Sequence, residues 1–408
     1  MSDFRIKEFA NGLVLLGLEK PEFESVAMCI SLCSGSAYDP QSLAGAASVG
    51  SEWLFRGAAG LNSRQLNDAL DSLGCQHAES VSGESIAFSA SMLGCNLDKI
   101  FDIYAGILTQ STLADESFDP CRMLVLQDLQ SLEDEPSRKC TALLKEKFFP
   151  YPLGRLATGN TETLSAMTPA AAREHLRKCL SPRGTIIAVA GNFDFDGFAA
   201  RVEEKLGGWN TQALPDVKLT APAGGITHIE KDTAQMHISL AYKSVPVEDD
   251  MYYAARTGVA VLSMGMGSRL FTEVREKRGL VYHVSARYSS LRNYAGIFAY
   301  AGTRPEMAQQ TYDVMTGELK RLVEGITDDE LQIANTQLRS VLIMQSQSTI
   351  ALAGMMAADW YHLRRLRTLD EISQKTLAVT CHDILQYLQK YPADNFTVFT
   401  IGPKSLDI

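Results

Sequence analysis

The sequence has 408 residues and a formal net charge of −10, a length that predicts two or three domains or one large bilobal unit. Hydrophobic residues make up 46% and charged ones 21%, an ordinary globular composition that excludes extended disorder. The acidic balance argues against a general nucleic-acid or anionic-membrane binder.

The start, Met1 to Lys7, shows no apolar core of a secretory signal, so a cytoplasmic chain is expected. Asn11-Gly12 is a turn signal between strand-like runs. Val26 to Leu32 (VAMCISL) reads as a strand, Ala44 to Phe55 as a helix and Ser85 to Met92 as a strand. Leu164 to Leu180 reads as a helix, followed by the strand Thr185 to Ala190 and then Gly191. Leu206 to Gly225 carries Gly207-Gly208, Pro215, Pro222 and Gly224-Gly225 without an apolar period, and reads as a linker. The same order of signals then returns: a strand at His237 to Tyr242, a helix at Tyr252 to Leu262, a strand at Gly296 to Thr303, a helix at Leu377 to Leu388, a strand at Phe396 to Ile401 and then Gly402. The late landmarks share an offset of about 211 residues, a domain-sized period that signifies duplication and not a solenoid. The expected organisation is a first domain at 1–205, a linker at 206–225 and a second domain at 226–408. Strands and helices that do not alternate strictly favour an α+β domain, a mixed or antiparallel sheet with helices packed on one face. No apolar run approaches the roughly 20 residues of a membrane helix. The eight cysteines include no C-x-x-C pair and read as reduced, mostly buried thiols.

The most informative segment is Gly267 to Thr303, GSRLFTEVREKRGLVYHVSARYSSLRNYAGIFAYAGT. It resembles the second domain of the pitrilysin/insulinase (inverzincin) family of zinc peptidases, in the branch containing the mitochondrial processing peptidases. Asn11-Gly12-Leu13, Gly35-Ser36, the run LGCQHAESVSGE from Leu73 to Glu84, Pro152 to Arg155 and Gly159 to Glu162 extend the match over nearly the whole chain. The resemblance implies two similar α+β halves enclosing a cavity.

Active members of that family carry H-x-x-E-H on a helix of the first half and a distal glutamate. Positions i and i+4 share one helix face, so two imidazoles can grip one Zn²⁺ while the intervening glutamate activates its water. Here the frame is kept in Gly45-Ala46-Ala47 and in Trp53 to Gly57, but the positions of the two histidines hold Ser48 and Glu52, and that of the base holds Ser51. A serine hydroxyl is a poor zinc ligand and no carboxylate base at neutral pH. The distal position falls at Asp128, or at Gln127 if the match slips by one. Glu52 and Asp128 read as solvated or paired acids, with weak binding of a hard cation as the alternative. None of the seven histidines has an i,i+4 partner.

Active members also use an Arg and a Tyr of the second half, seven residues apart, to hold substrate; these match Arg275 and Tyr282. An arginine supplies fixed donors to peptide carbonyls and a phenol can stabilise an oxyanion. A salt bridge from Arg275 to Glu273 or Glu276, with Tyr282 a core aromatic, is the structural alternative. The strand around His77, Ala78 and Ser80 matches the edge that pairs with an extended peptide, the alternative being a plain edge guarded by polar residues. Glu84 matches a structural or cavity-wall acid. The resemblance implies a catalytically inactive, substrate-binding subunit of a heteromeric peptidase, with zinc expected only in a homologous partner; a self-dimer is the other assembly. It implies no cofactor in this chain, a peptide substrate, and neither nucleic acid nor membrane as partner. A non-enzymatic core or assembly protein and a lone peptidase with an unusual metal site at Glu52 and Asp128 are the rival readings. The acidic charge is compatible with a cavity for peptides, basic ones included.

Overall fold

The structure is a computed structural model, and it describes residues 4–408. The first sequence half gives strands β1 (Arg5–Glu8), β2 (Val14–Glu19) and β3 (Ser25–Leu32), helix α1 (Ala46–Leu54), and a short β4–β5 hairpin (Gly57–Ala58 and Leu61–Asn62). Next come α2 (Ser63–Ser72), β6 (Gln76–Val81), β7 (Ile86–Leu93), α3 (Leu97–Gln110), α4 (Asp115–Asp134) and α5 (Pro136–Phe148). It ends with α6 (Thr161–Ala166), α7 (Pro169–Cys179), β8 (Ile186–Gly191) and α8 (Phe195–Leu206). The second half gives β9 (Ile226–Glu230), β10 (Met236–Ser244), α9 (Tyr252–Ser263), β11 (Val281–Ser290) and β12 (Ala295–Thr303). It closes with α10 (Ala308–Arg321), α11 (Asp328–Ser346), α12 (Thr349–Leu363), α13 (Leu369–Leu377), α14 (Cys381–Lys390) and β13 (Thr397–Gly402).

The strands form two sheets of the same design. The first runs β1-β2-β8-β3-β7-β6 and the second β11-β12-β10-β13-β9. In the first, β2 is parallel to β8, and β8, β3, β7 and β6 then pair antiparallel. In the second, β9 is parallel to β13, and β13, β10, β12 and β11 follow antiparallel. Ser25 and Met236 begin corresponding strands, as do Ile186 and Thr397, and both pairs are 211 positions apart. The duplication is therefore a duplication of topology, and the fold is α+β.

Strand alternation gives each sheet two apolar faces. In the first, Val26, Met28, Ile30, Ile187 and Val189 join the core built with α1, α3 and α7. The intervening Ala27, Ala188 and Ala190 are also buried, and their small side chains let α12 lie close against β3 and β8. In the second, Ile238, Leu240, Tyr242 and Val398 pack with α9, α10 and α14, while Ala241, Phe399 and Ile401 on the other face pack against Cys140 and Leu144 of α5.

The helix closing the second face of each sheet thus comes from the other half of the sequence. One compact unit comprises residues up to Ser131, Tyr151–Leu219 and Ser346–Leu366; the other comprises Leu132–Pro150, Thr220–Gln345 and Arg367–Ile408. The contiguous domains expected at 1–205 and 226–408 exchange one helix each, because an amphipathic helix is attracted to any matching apolar face irrespective of its position in the chain.

Two long helices expected from the sequence are each broken. Leu164 to Leu180 divides into α6 and α7 because Pro169 has no N–H to continue a helix; it serves as the first residue of α7, with the Thr168 side chain accepting from Ala171 N. Leu377 to Leu388 divides between α13 and α14 because Thr380 opens a reciprocal cap with Asp383.

Severing the chain at Pro215 tests the exchange. The first fragment alone exposes the alanine face of β3 and β8 and should be insoluble. Co-expression with the second fragment should restore solubility and native circular dichroism.

Candidate functional site

The helix that resembles a zinc site begins at a buried carboxylate. Asp39 accepts from the backbone N–H groups of Gly45 at 3.2 Å and Ala47 at 3.1 Å, and meets His175 Nε2 of α7 at 2.9 Å. Both side chains are buried. Gly45 has φ +98°, a conformation that favours glycine, and it turns the chain into α1. Gly50 faces α7: a Cβ there would lie 2.9 Å from Leu176 Cδ1. A helix-interior glycine costs about 1 kcal/mol, and close α1–α7 packing is what it is exchanged for.

The three positions of the zinc motif are occupied by side chains already satisfied within the protein. Ser48 Oγ donates to Ala157 O at 2.7 Å, and Ser51 Oγ donates to Ser48 O at 2.9 Å. Glu52 pairs with Arg56 one turn on, at 3.4 Å. A metal needs lone pairs that converge on one point and lack other partners. Here the hydroxyls bond to carbonyls, and a guanidinium supplies the positive charge beside Glu52. Asp128 is half-buried on α4, and its C=O accepts from Ser131 Oγ at 2.8 Å. No group of three or more His, Cys, Asp or Glu side chains capable of holding a metal exists among the described residues. These residues do not fit a zinc ion.

β6 is the edge strand of its sheet and lies against α1. His77, Ala78 and Ser80 sit on it at the register of Ala90, Ser89 and Ala87. The His77 ring stacks on Phe55 with centroids 5.7 Å apart and planes 3° from parallel. Its Nδ1 lies 3.9 Å from Glu79. Burial raises the Glu79 carboxyl above its ordinary value, as does the nearby negative charge of Glu52; the positive charges of His77 and Arg56 partly offset this. The structure thus brings Glu52, Arg56, His77 and Glu79 together. Glu79 is the member that sequence reasoning passed over, although period-two alternation from His77 marks it as a same-face neighbour.

The second sheet carries Arg275 and Tyr282. Arg275 lies in a π-helical turn, Phe271–Glu276. Its guanidinium is 4.8 Å from the ring centroids of both Phe271 and Tyr282, two cation–π contacts that hold the fork in place. The salt bridge to Glu273 does not form, because Glu273 is taken by Lys277 at 2.7 Å and Arg278 at 2.6 Å. Among the described residues no carboxylate pairs with Arg275. Tyr282 is 80% exposed, not a core aromatic. The β11–β12 register skips at Tyr282, between Val281 and His283, and such a bulge turns a side chain out of the ladder.

Comparison with known proteins agrees with this arrangement. The family profile described as Insulinase (Peptidase family M16) matches residues 15–160, and that described as Peptidase M16 inactive domain matches residues 166–338. An uncharacterized zinc protease of Rickettsia felis is 26% identical over 411 residues, covering 99% of this chain and 98% of that protein. Among solved structures, a peptidase M16 inactive domain from Pseudomonas fluorescens superposes with a TM-score of 0.90 at 21% identity, covering 100% of this chain and 99% of that one. A chain of complex III2 from Candida albicans, Inz-5 bound, superposes with a TM-score of 0.86 at 18% identity, covering 98% of this chain and 96% of its own length. Both structural likenesses show the fold.

Two measurements probe the first unit. Asp39→Ala leaves two backbone N–H groups and the His175 ring without their partner, and should cost about 3–5 kcal/mol in urea unfolding; Asp39→Asn, which keeps one acceptor, should cost less. Glu79 has a raised folded-state pKa, so its ionisation opposes folding above that pKa and has no effect below the unfolded value. Glu79→Gln should therefore raise the melting temperature at neutral pH, with the gain vanishing as the pH falls below the ordinary glutamate range.

Proposed function

The chain belongs to peptidase family M16, and from that premise we propose that it is a substrate-holding subunit working beside a homologous chain that carries an intact H-x-x-E-H. One asymmetry carries this reading. In the first unit the metal-site positions are filled by satisfied hydroxyls and a Glu52–Arg56 ion pair. In the second unit Arg275 and Tyr282 are kept as a preorganised pair, with the phenol in solvent and no carboxylate on the guanidinium. Selection for packing alone would favour a buried ring and a paired arginine.

The roles follow from side-chain chemistry. Arg275 offers donors to carbonyl oxygens of an extended peptide. Tyr282 Oη is a donor suited to an oxyanion developing on that peptide. His77, Ala78 and Ser80 lie on an edge strand whose outward backbone groups can pair with a peptide strand. Water activation belongs to the partner chain, since Ser51 is no base and Glu52 is held by Arg56. The same ion pair counts against a lone peptidase with a cation at Glu52 and Asp128.

The test is purification of the chain from its source with its associates, followed by reconstitution with the co-purifying homologue. Arg275→Ala and Tyr282→Phe should leave assembly intact and lower peptide cleavage by the pair by about 10²–10³. Unchanged cleavage, or no zinc-bearing partner, would turn the assignment toward an assembly protein of the same fold.

A further inference from the structure

The largest groove within the second unit, about 680 Å³, lies between α5 and the outer strands β11 and β12. Helix periodicity builds one wall. Cys140, Leu144 and Phe148 recur every four residues and turn toward the sheet, where Cys140 and Leu144 are buried. Arg138, Thr141 and Lys145 form the neighbouring stripe and line the groove. Strand alternation builds the other wall. Val284, Ala286 and Tyr288 face the core, which leaves His283, Ser285, Arg287 and Ser289 on the groove side. Phe298 and Tyr300 of β12 form the floor.

The lining holds three permanent cations, Arg138, Lys145 and Arg287, and no carboxylate, in a chain whose net charge is −10. Arg138 lies 3.8 Å from Glu135. Lys145 and Arg287 are exposed and form no ion pair among the described residues. Their positive potential is therefore not neutralised within the unit. The floor is aromatic and half-buried, so an apolar side chain can lie on Phe298 while flanking anions meet the walls. At the nearby edge, Ala286 N–H donates to Ser263 Oγ at 2.8 Å; strand addition is blocked at that residue, and side chains in the groove must do the recognising.

We propose that this groove is a recognition site for an acidic peptide segment, glutamate or aspartate side chains flanking an apolar residue, with Arg287 and Lys145 as the anion-binding groups. The inference deepens the reading of the chain as a peptide-holding subunit and names the substrate class. It differs from a basic-peptide preference inferred from the overall charge.

Binding to the full-length chain, without a partner, tests the groove separately from complementation of a peptidase. The probe is a short fluorescein-labelled peptide alternating Glu with Phe and Ala, compared by anisotropy with its Gln-for-Glu and Lys-for-Glu counterparts. The acidic peptide should bind about tenfold or more tightly than the Gln form at low salt and lose that advantage as salt is raised. In the Arg287→Glu, Lys145→Glu double variant the order should reverse in favour of the Lys peptide, with an unchanged melting temperature because both side chains are exposed. Equal affinity for the three peptides, an acidic preference that survives the double variant, or displacement of the acidic peptide by equimolar inorganic phosphate would each overturn the proposal. Binding as expected with no rescue of cleavage by a partner would instead overturn only the proposed function.

Discussion

A sheet with two apolar faces must have both covered. This requirement organises the chain, because the helices following each sheet in sequence cover only one face. The other is closed by α5 on the β10–β13 strands and by α12 on β3 and β8. These are corresponding helices of the duplicated halves, exchanged. Burying a Leu or Met side chain such as Leu144, Leu352 or Met356 stabilises by about 1.5–3 kcal/mol, so the loss of either helix would remove a sizeable fraction of a marginal stability. The exchange also explains how a half with altered chemistry remains indispensable: α5, encoded there, closes the sheet that carries Arg275 and Tyr282.

The same logic accounts for the survival of α1. Its start is fixed by Asp39 and its side by the Gly50–Leu176 approach, neither of which needs a metal. The zinc-motif positions lie on a helix already held at both points. Substitutions there were constrained only to satisfy their own hydrogen bonds, as Ser48 and Ser51 do with carbonyls and Glu52 does with Arg56. An isolated Glu52 beside Glu79 would repel it, and Arg56 relieves that repulsion.

Strands, their order and the duplication were legible in the sequence because alternation and turn residues are local signals. Pro169 and Thr380 were equally local, but the apolar period running across them concealed the helix breaks. The exchange of α5 and α12 was not legible, since an amphipathic stripe states that a helix needs a partner without stating which. In the site, the frame around Ser48, Ser51 and Glu52 could be read from spacing. Tyr282 could not: a tyrosine entering a strand is usually half-buried, and the bulge that turns it into solvent is a tertiary feature. The partners of Glu273 were within reach of sequence, because Lys277 stands at the favourable i+4 spacing whereas Arg275 at i+2 points elsewhere.

Net charge is the least transferable of the sequence-level quantities. A sum of −10 fixes solubility and the far field but not the potential at a given face. That potential depends on which side chains periodicity gathers together. On β11 a step of two places His283 and Arg287 with two serines, opposite a core-facing Val284, Ala286 and Tyr288. On α5 steps of three and four place Arg138 and Lys145 beside an apolar stripe that seats the helix. Each stripe alone is an unremarkable solvated face. They become one basic groove because Cys140 and Leu144 hold α5 against that sheet, and the charge pattern of the site therefore follows from the same helix exchange that closes the fold.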